Sequence, residues 1–288
     1  MAKAELVEPR EIVKANNDLF RARCKIKDVL AGRIFMAFAS LVNEKDVKEN
    51  ERFVEYKITA SSVLNGINAG GDNYKQLRDA AYSLIDQKLE KRRSKNSFKV
   101  YTLFSSIDYE NGIITGEFHK DLVPFFIAAR GVFTRINLQQ YMRLPSIYSQ
   151  KLFGFLTSWN DKPEKEIEIS ELHIMLDTPE SLQNDFAQFR RRVLEKAFKD
   201  ITEQTNLSFE WEPIKKGRTV IAVRFIFSRK RALPVTKQKQ NEAIEKQNAR
   251  NSAAFKAAIA CRKEHGPDCC GGSQRKNICK LCNKLKIV

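Results

Sequence analysis

Between residues 184 and 228 the chain reads NDFAQFRRRVLEKAFKDITEQTNLSFEWEPIKKGRTVIAVRFIFS, and two groups of side chains in it could bind a polyanion. On a 100°-per-residue wheel Gln188, Arg191, Arg192, Glu195 and Lys199 share one face, a polar and mostly basic strip. Further on, Lys215, Lys216 and Arg218 crowd around Gly217 in a basic turn that could reach a phosphate. A third group suggests a metal. Cys261-x3-His265-x3-Cys269-Cys270-x8-Cys279-x2-Cys282 offers six ligands of the types that bind zinc, where a tetrahedral site needs four. Cys279-Lys280-Leu281-Cys282 is its sharpest half, a knuckle in which two thiolates can face one ion.

The first two groups need a helix and a hairpin to position them. Phe186, Phe189, Val193, Leu194, Ala197 and Ile201 recur at spacings of three and four, so one long helix from Asn184 to Thr205 with an apolar stripe is expected. Leu207–Trp211 and Val220–Phe227 alternate as paired strands do, with Pro213 to Arg218 as the turn between them. A helix with a basic outer face followed by a hairpin with a basic tip is the design of a winged-helix DNA-binding domain. Charged outer faces are usually only solvated, so the reading depends on what the rest of the chain repeats. Arg190 falls towards the apolar stripe on the wheel and reads as a structural ion-pair partner.

Length and charge set the frame. The chain's 288 residues can hold about two domains with cores of their own. Its net charge of +16 is uneven: residues 229–288 carry 15 Lys/Arg against 4 Asp/Glu, a balance of +11, and the remainder only +5. A field of this sign favours nucleic acid, with salt-sensitive affinity. Five of the six cysteines lie in the last 28 residues. Neither a transmembrane run nor a secretory signal is evident, so a cytoplasmic protein without a membrane partner is expected, in which clustered cysteines favour metal over disulfide.

Along the chain, 1–24 reads as a polar lead-in with a short helix around 11–19, and 26–42 as a buried helix. A strand follows at 53–58, then a short helix capped by Thr59 or Ser61. A second amphipathic helix over 73–93 exposes Lys75 and Arg78. Strands at 98–104 and 113–118 join through Asn111-Gly112, a strong hairpin dipeptide. The second half repeats this order: a helix at 144–159, a strand at 166–169, a short helix capped by Ser170, then the long helix and hairpin. Ile58 to Ile169, Asn73 to Asn184 and Phe98 to Phe209 are each 111 residues apart. The expected class is α+β, two tandem winged-helix domains at 25–130 and 131–230 with a basic, cysteine-rich tail at 231–288.

Leu122-Val123-Pro124-Phe125-Phe126-Ile127, then Phe133-Thr134, then Pro145-Ser146-Ile147-Tyr148-Ser149 resemble the iteron-binding plasmid replication initiators. So do Phe189-Arg190-Arg191-Arg192-Val193-Leu194 and Lys215-Lys216-Gly217-Arg218-Thr219. The resemblance spans roughly Arg23 to Ser228 and is strongest in the second half. It implies two winged helices that bind repeated origin DNA, the second being the principal reader and the first contacting DNA or forming a dimer. Monomers would open the origin and recruit host initiator and replicative helicase. Dimers, in equilibrium with them, would bind an inverted repeat at the gene's own promoter and repress it. Gln188, Arg191, Arg192 and Lys199 would read bases, Lys215, Lys216 and Arg218 would touch phosphate, and Lys75 and Arg78 would contact DNA from the first domain. No cofactor is implied for DNA binding, and the tail's structural zinc lies outside the resemblance.

Enzyme chemistry finds little support. His119 has no second histidine nearby, as metal-dependent nicking would require, and His173 sits in an apolar short helix. Gly66 to Asp72 has P-loop glycine spacing but Asp where Lys is needed. The readings that compete with an initiator are a tandem winged-helix repressor and, less well supported, a replication nuclease or primase.

Overall fold

The run Val29–Leu41 (α2) is apolar but for Arg33 and Ser40, and as a computed structural model of the chain shows, it is buried from Leu30 to Leu41. The structure describes residues 6–64, 73–94, 96–127 and 133–228. Asp28 caps α2 by accepting from Ala31 N at 2.8 Å. Around α2 the first half assembles α3 (Glu44–Asn50), β3 (Tyr56–Thr59), α4 (Asn73–Asp86), β4 (Lys88–Ser94), β5 (Ser97–Thr102), β6 (Phe104–Glu110) and β7 (Ile113–Phe118). Its core is aromatic: Phe118 packs on Phe53 at 5.3 Å, Phe104 at 4.6 Å and Phe126 at 5.3 Å between ring centroids.

The second half contains β9 (Glu164–Glu168), α8 (Ile169–Leu176), α9 (Glu180–Gln183), the helix 186–204, β10 (Phe209–Lys216) and β11 (Thr219–Phe227). Each half has a three-stranded antiparallel sheet of one plan, β3-β7-β6 and β9-β11-β10, in which a hairpin follows a helix and a short strand pairs with its second arm. The tandem winged-helix architecture expected from the sequence is present.

Several elements differ from expectation. The helix expected around 11–19 is a strand, β1 (Ile12–Asn16), followed by α1 (Asn17–Arg21). β1 pairs with β8 (Phe133–Asn137), and Val13 and Ala15 are buried in the core that includes α2. The helix expected over 73–93 stops at Asp86. Lys88 to Ser94 is β4, which pairs with β5 and with β2 (Arg23–Cys24), so Lys91-Arg92-Arg93 lie on a hairpin. Phe98 therefore belongs to β5, and the first wing is β6–β7. The uniform offset of 111 does not survive: Phe104 opens the first wing and Phe209 the second, 105 residues apart, because β4–β5 is inserted in the first half only. Asn111 and Gly112 do turn the first wing, at φ 50° and 79°, as a tight hairpin requires. Ser170 does not cap α8, whose N-cap is Glu168 without a side-chain bond. Instead of a short α-helix after Thr59 there is a single 3-10 turn, Ala60–Ser62, with Thr59 at its N-cap but no side-chain cap bond.

Two short helices link the halves, α6 (Leu138–Arg143) and α7 (Ile147–Thr157), with Asn137 and Ser146 as their N-caps. α7 is buried between α2 and the helix 186–204: Gln150 Nε2 donates to Val29 O at 3.3 Å, and Ser149 Oγ donates to Asp200 Oδ2 at 2.6 Å. α2 can lie this close because Gly32 has no side chain; a Cβ there would sit 2.3 Å from Gln150 Oε1. Arg23 adds an electrostatic tie, bonding Asp177 at 2.7 Å and approaching Glu90 at 3.7 Å.

Candidate nucleic-acid interface

The helix 186–204 is capped at its start by Asp185, which accepts from Gln188 N at 3.0 Å, and closed at its end by Thr205, whose hydroxyl donates to Ile201 O at 2.8 Å. Phe189, Val193, Leu194, Ala197 and Ile201 are buried and Phe186 packs against them, so the expected apolar stripe is the real one. The helix is not uniform. Arg190 to Leu194 forms one π-turn, an extra residue inserted between two α-helical segments.

That turn settles Arg190. In an unbroken α-helix Arg190 would point among the apolar side chains, as the wheel suggested; here its side chain is 55% exposed. Its Nε donates to Glu195 Oε1 at 2.7 Å, and its guanidinium stands 6.0 Å from the ring centroid of Trp211 on β10. It is an ion-pair partner, as expected, at the junction of helix and wing instead of in the core.

Arg191, Arg192 and Lys199 are exposed on the outer face, and Gln188 is partly so. Arg191 Nη2 donates to Gln188 Oε1 at 2.9 Å, which holds both side chains along the helix. Lys196, overlooked on the wheel, is exposed beside them; it stands four residues after Arg192, the spacing that could have revealed it.

The basic turn is tighter than expected. β10 continues through Pro213 to Lys216, and only Gly217 and Arg218 turn the chain, with Gly217 at φ +63° in the first central position. Pro213 is tolerated because β10 is an edge strand and needs no donor on its outer side. Lys215, Lys216 and Arg218 are exposed and make no ion pair among the described residues, so the tip presents three positive charges to solvent. Behind it the sheet's outer face is acidic: Arg224 bonds Glu166 and Glu212 and lies 3.9 Å from Glu164, and the Glu166 hydrogen bond foremost raises the guanidinium's pKa. The second domain is thus polarised, basic on its helix and wing tip and acidic on its sheet.

The first domain is not built alike. Lys75 and Arg78 are exposed on α4, but they share that face with Asp79, Asp86 and the exposed rings of Tyr74 and Tyr82; Arg78 lies 5.7 Å from the Tyr82 ring. Its wing carries Asp108 and Glu110, both exposed, beside the Asn111-Gly112 tip. The structure therefore brings the second-domain residues into one basic surface and leaves Lys75 and Arg78 in a mixed one. On the β4–β5 hairpin Arg92 and Arg93 are exposed and make no ion pair among the described residues.

His119 and His173 are structural. His119 caps the 3-10 turn that follows β7, its Nδ1 accepting from Asp121 N at 3.3 Å. His173 is buried, bonded to Thr178 Oγ1 at 2.8 Å and packed edge-on against Phe189, and burial lowers its pKa. Among the described residues no group of three or more His, Cys, Asp or Glu is placed to hold a metal ion, and no helix is long and apolar enough to cross a membrane. The candidate zinc ligands Cys261, His265, Cys269, Cys270, Cys279 and Cys282, and the 66–72 glycine run, lie outside the described residues.

Residues 12–157 match the family described as "Initiator Replication protein, WH1", and residues 168–227 match "Initiator Rep protein, WH2". The WH1 match takes in α6 and α7. Among solved structures, one similar chain is the Pi initiator protein, crystallised in complex with iteron DNA. It shares 22% sequence identity over 77% of this chain and 98% of that chain, at a TM-score of 0.59, a likeness of fold. No curated protein matches the chain.

Proposed function

Because the chain belongs to the initiator replication protein family, with both of its winged-helix domains matched, we propose that it is a plasmid replication initiator that binds repeated origin sequences, iterons, as double-stranded DNA. The observation that carries this is the polarised second domain. Gln188, Arg191, Arg192, Lys196 and Lys199 line the helix face and Lys215, Lys216 and Arg218 the wing tip, while Glu164, Glu166 and Glu212 cluster around Arg224 on the sheet. A domain so charged can approach a duplex in one orientation, helix in the major groove and wing on the flanking backbone. The fold shared with a protein crystallised on iteron DNA supports the same ligand.

In this reading Gln188, Arg191, Arg192 and Lys199 contact base edges, and Lys215, Lys216 and Arg218 contact phosphate. Lys75 and Arg78 contribute weakly, since the neighbouring Asp79 and Asp86 oppose them. Bound protein opens the origin and recruits host initiator and helicase, and a dimeric form represses its own gene. The protein works as a DNA-binding factor without a catalytic step of its own, in the cytoplasm.

Footprinting the full-length protein on its own replicon tests this. Protection of tandem repeats beside the gene, and loss of plasmid maintenance when Arg191 is replaced by alanine, are expected. Protection confined to a promoter, in a replicon that persists without the protein, would make it a repressor instead.

A further inference from the structure

The basic face of the helix 186–204 has an acid at its centre. Glu195 is 45% exposed, four residues from Arg191 and four from Lys199, so Gln188, Arg191, Glu195 and Lys199 form one outward stripe. One of its oxygens, Oε1, accepts from Arg190 at 2.7 Å; Oε2 has no partner among the described residues. Arg190 is extruded from the apolar stripe by the π-turn and stands beside Trp211 of the wing, so the carboxylate is held between helix and hairpin.

A carboxylate on a surface that approaches DNA is repelled by every phosphate. It is tolerated where a base edge offers a donor, and in the major groove only cytosine N4 and adenine N6 do so. Adenine sets its N7 acceptor beside that donor, which a carboxylate also repels; cytosine presents the donor alone. The ion pair with Arg190 offsets part of the negative charge and fixes Oε1, leaving Oε2 with a set direction before DNA arrives.

We propose that Glu195 determines specificity by selecting cytosine at one position of the duplex site, with Arg190 as its positioning residue. This rests on the reading that the helix enters the major groove.

The test is selection from randomised duplexes by the full-length protein and by Glu195→Gln, Glu195→Ala and Arg190→Ala variants. The unaltered protein should prefer cytosine at one position by about 5- to 100-fold. Glu195→Gln should turn that position to adenine, since an amide pairs with both N6 and N7, while Glu195→Ala erases the preference and every other position stays unchanged. Arg190→Ala should weaken the preference at the same position alone. Variant profiles that superimpose on the original, with affinity for all sequences shifted together, would reduce Glu195 to a charge effect and overturn the assignment. Preferences lost at many positions at once would overturn it too, as a sign of a structural role. If the unaltered protein shows no sequence preference, the initiator reading fails first, and the two failures are distinguishable.

Discussion

Replacing Lys215, Lys216 and Arg218 together by alanine isolates the wing's share of DNA binding. The three side chains are exposed and make no ion pair among the described residues, and the hairpin is held by the β10–β11 ladder and by Gly217, which stays. Folding stability should therefore change by no more than about 0.5 kcal/mol. Each phosphate a cation neutralises contributes about −0.9 to the slope of log K against log salt, so three lost contacts flatten the slope by about 2.7. Over a fourfold rise in salt, from 50 to 200 mM, the original protein should then lose roughly 40-fold more affinity than the variant. Fluorescence anisotropy with a cognate and a scrambled duplex at four salt concentrations measures this. The variant should bind both duplexes more weakly by similar factors. An unchanged slope would show that the tip does not touch phosphate; a loss confined to the cognate duplex would show that it reads sequence. Either result would refute the division of labour between helix and wing.

Arg191→Ala removes a side chain that bonds Gln188 on an exposed face, so discrimination between cognate and scrambled DNA should fall by about 1–3 kcal/mol while the melting temperature holds. Gly32→Ala should destabilise by about 1–3 kcal/mol in denaturant titration, because Gln150 is buried and cannot swing into water to clear the new methyl. His173 has a folded-state pKa lowered by burial from its ordinary 6.5. The unfolded chain then binds the extra proton first, so stability is full above about pH 6.5 and declines as the pH falls towards the folded value; His173→Gln should flatten that decline in thermal melts. Metal analysis of the full chain should find close to one zinc, lost in Cys279→Ser, if four of the tail's thiol and imidazole ligands close a site; metal-free, fully active protein would end that idea.

The elements legible in the sequence were those whose signal is local. The stripe from Phe189 to Ile201 declares a helix, and Asn111-Gly112 declares a hairpin, because period and turn chemistry act within a few residues. The strand β4 was hidden: of Lys88 to Ser94 only Leu89 is buried, and the charged residues around it suit a solvated helix as well as a hairpin. β1 was hidden for another reason, since the strand it pairs with, β8, lies more than a hundred residues away. Missing β4–β5 also produced the false constancy of the 111-residue offset, which matched Phe98 to Phe209 across an insertion.

At the candidate site the sequence identified the side chains and misjudged one direction. A wheel assumes 3.6 residues per turn and has no place for an extra one, so Arg190 landed among the apolar residues. The clue was chemical: an arginine at the centre of an apolar stripe must leave the core or find a partner there. The residue turned out of such a stripe must be one that water or a carboxylate will take. Glu195 takes it. The irregularity in the backbone and the acid amid the basic face are therefore a single feature: the π-turn brings Arg190 to where it holds Glu195, on the surface that would meet DNA.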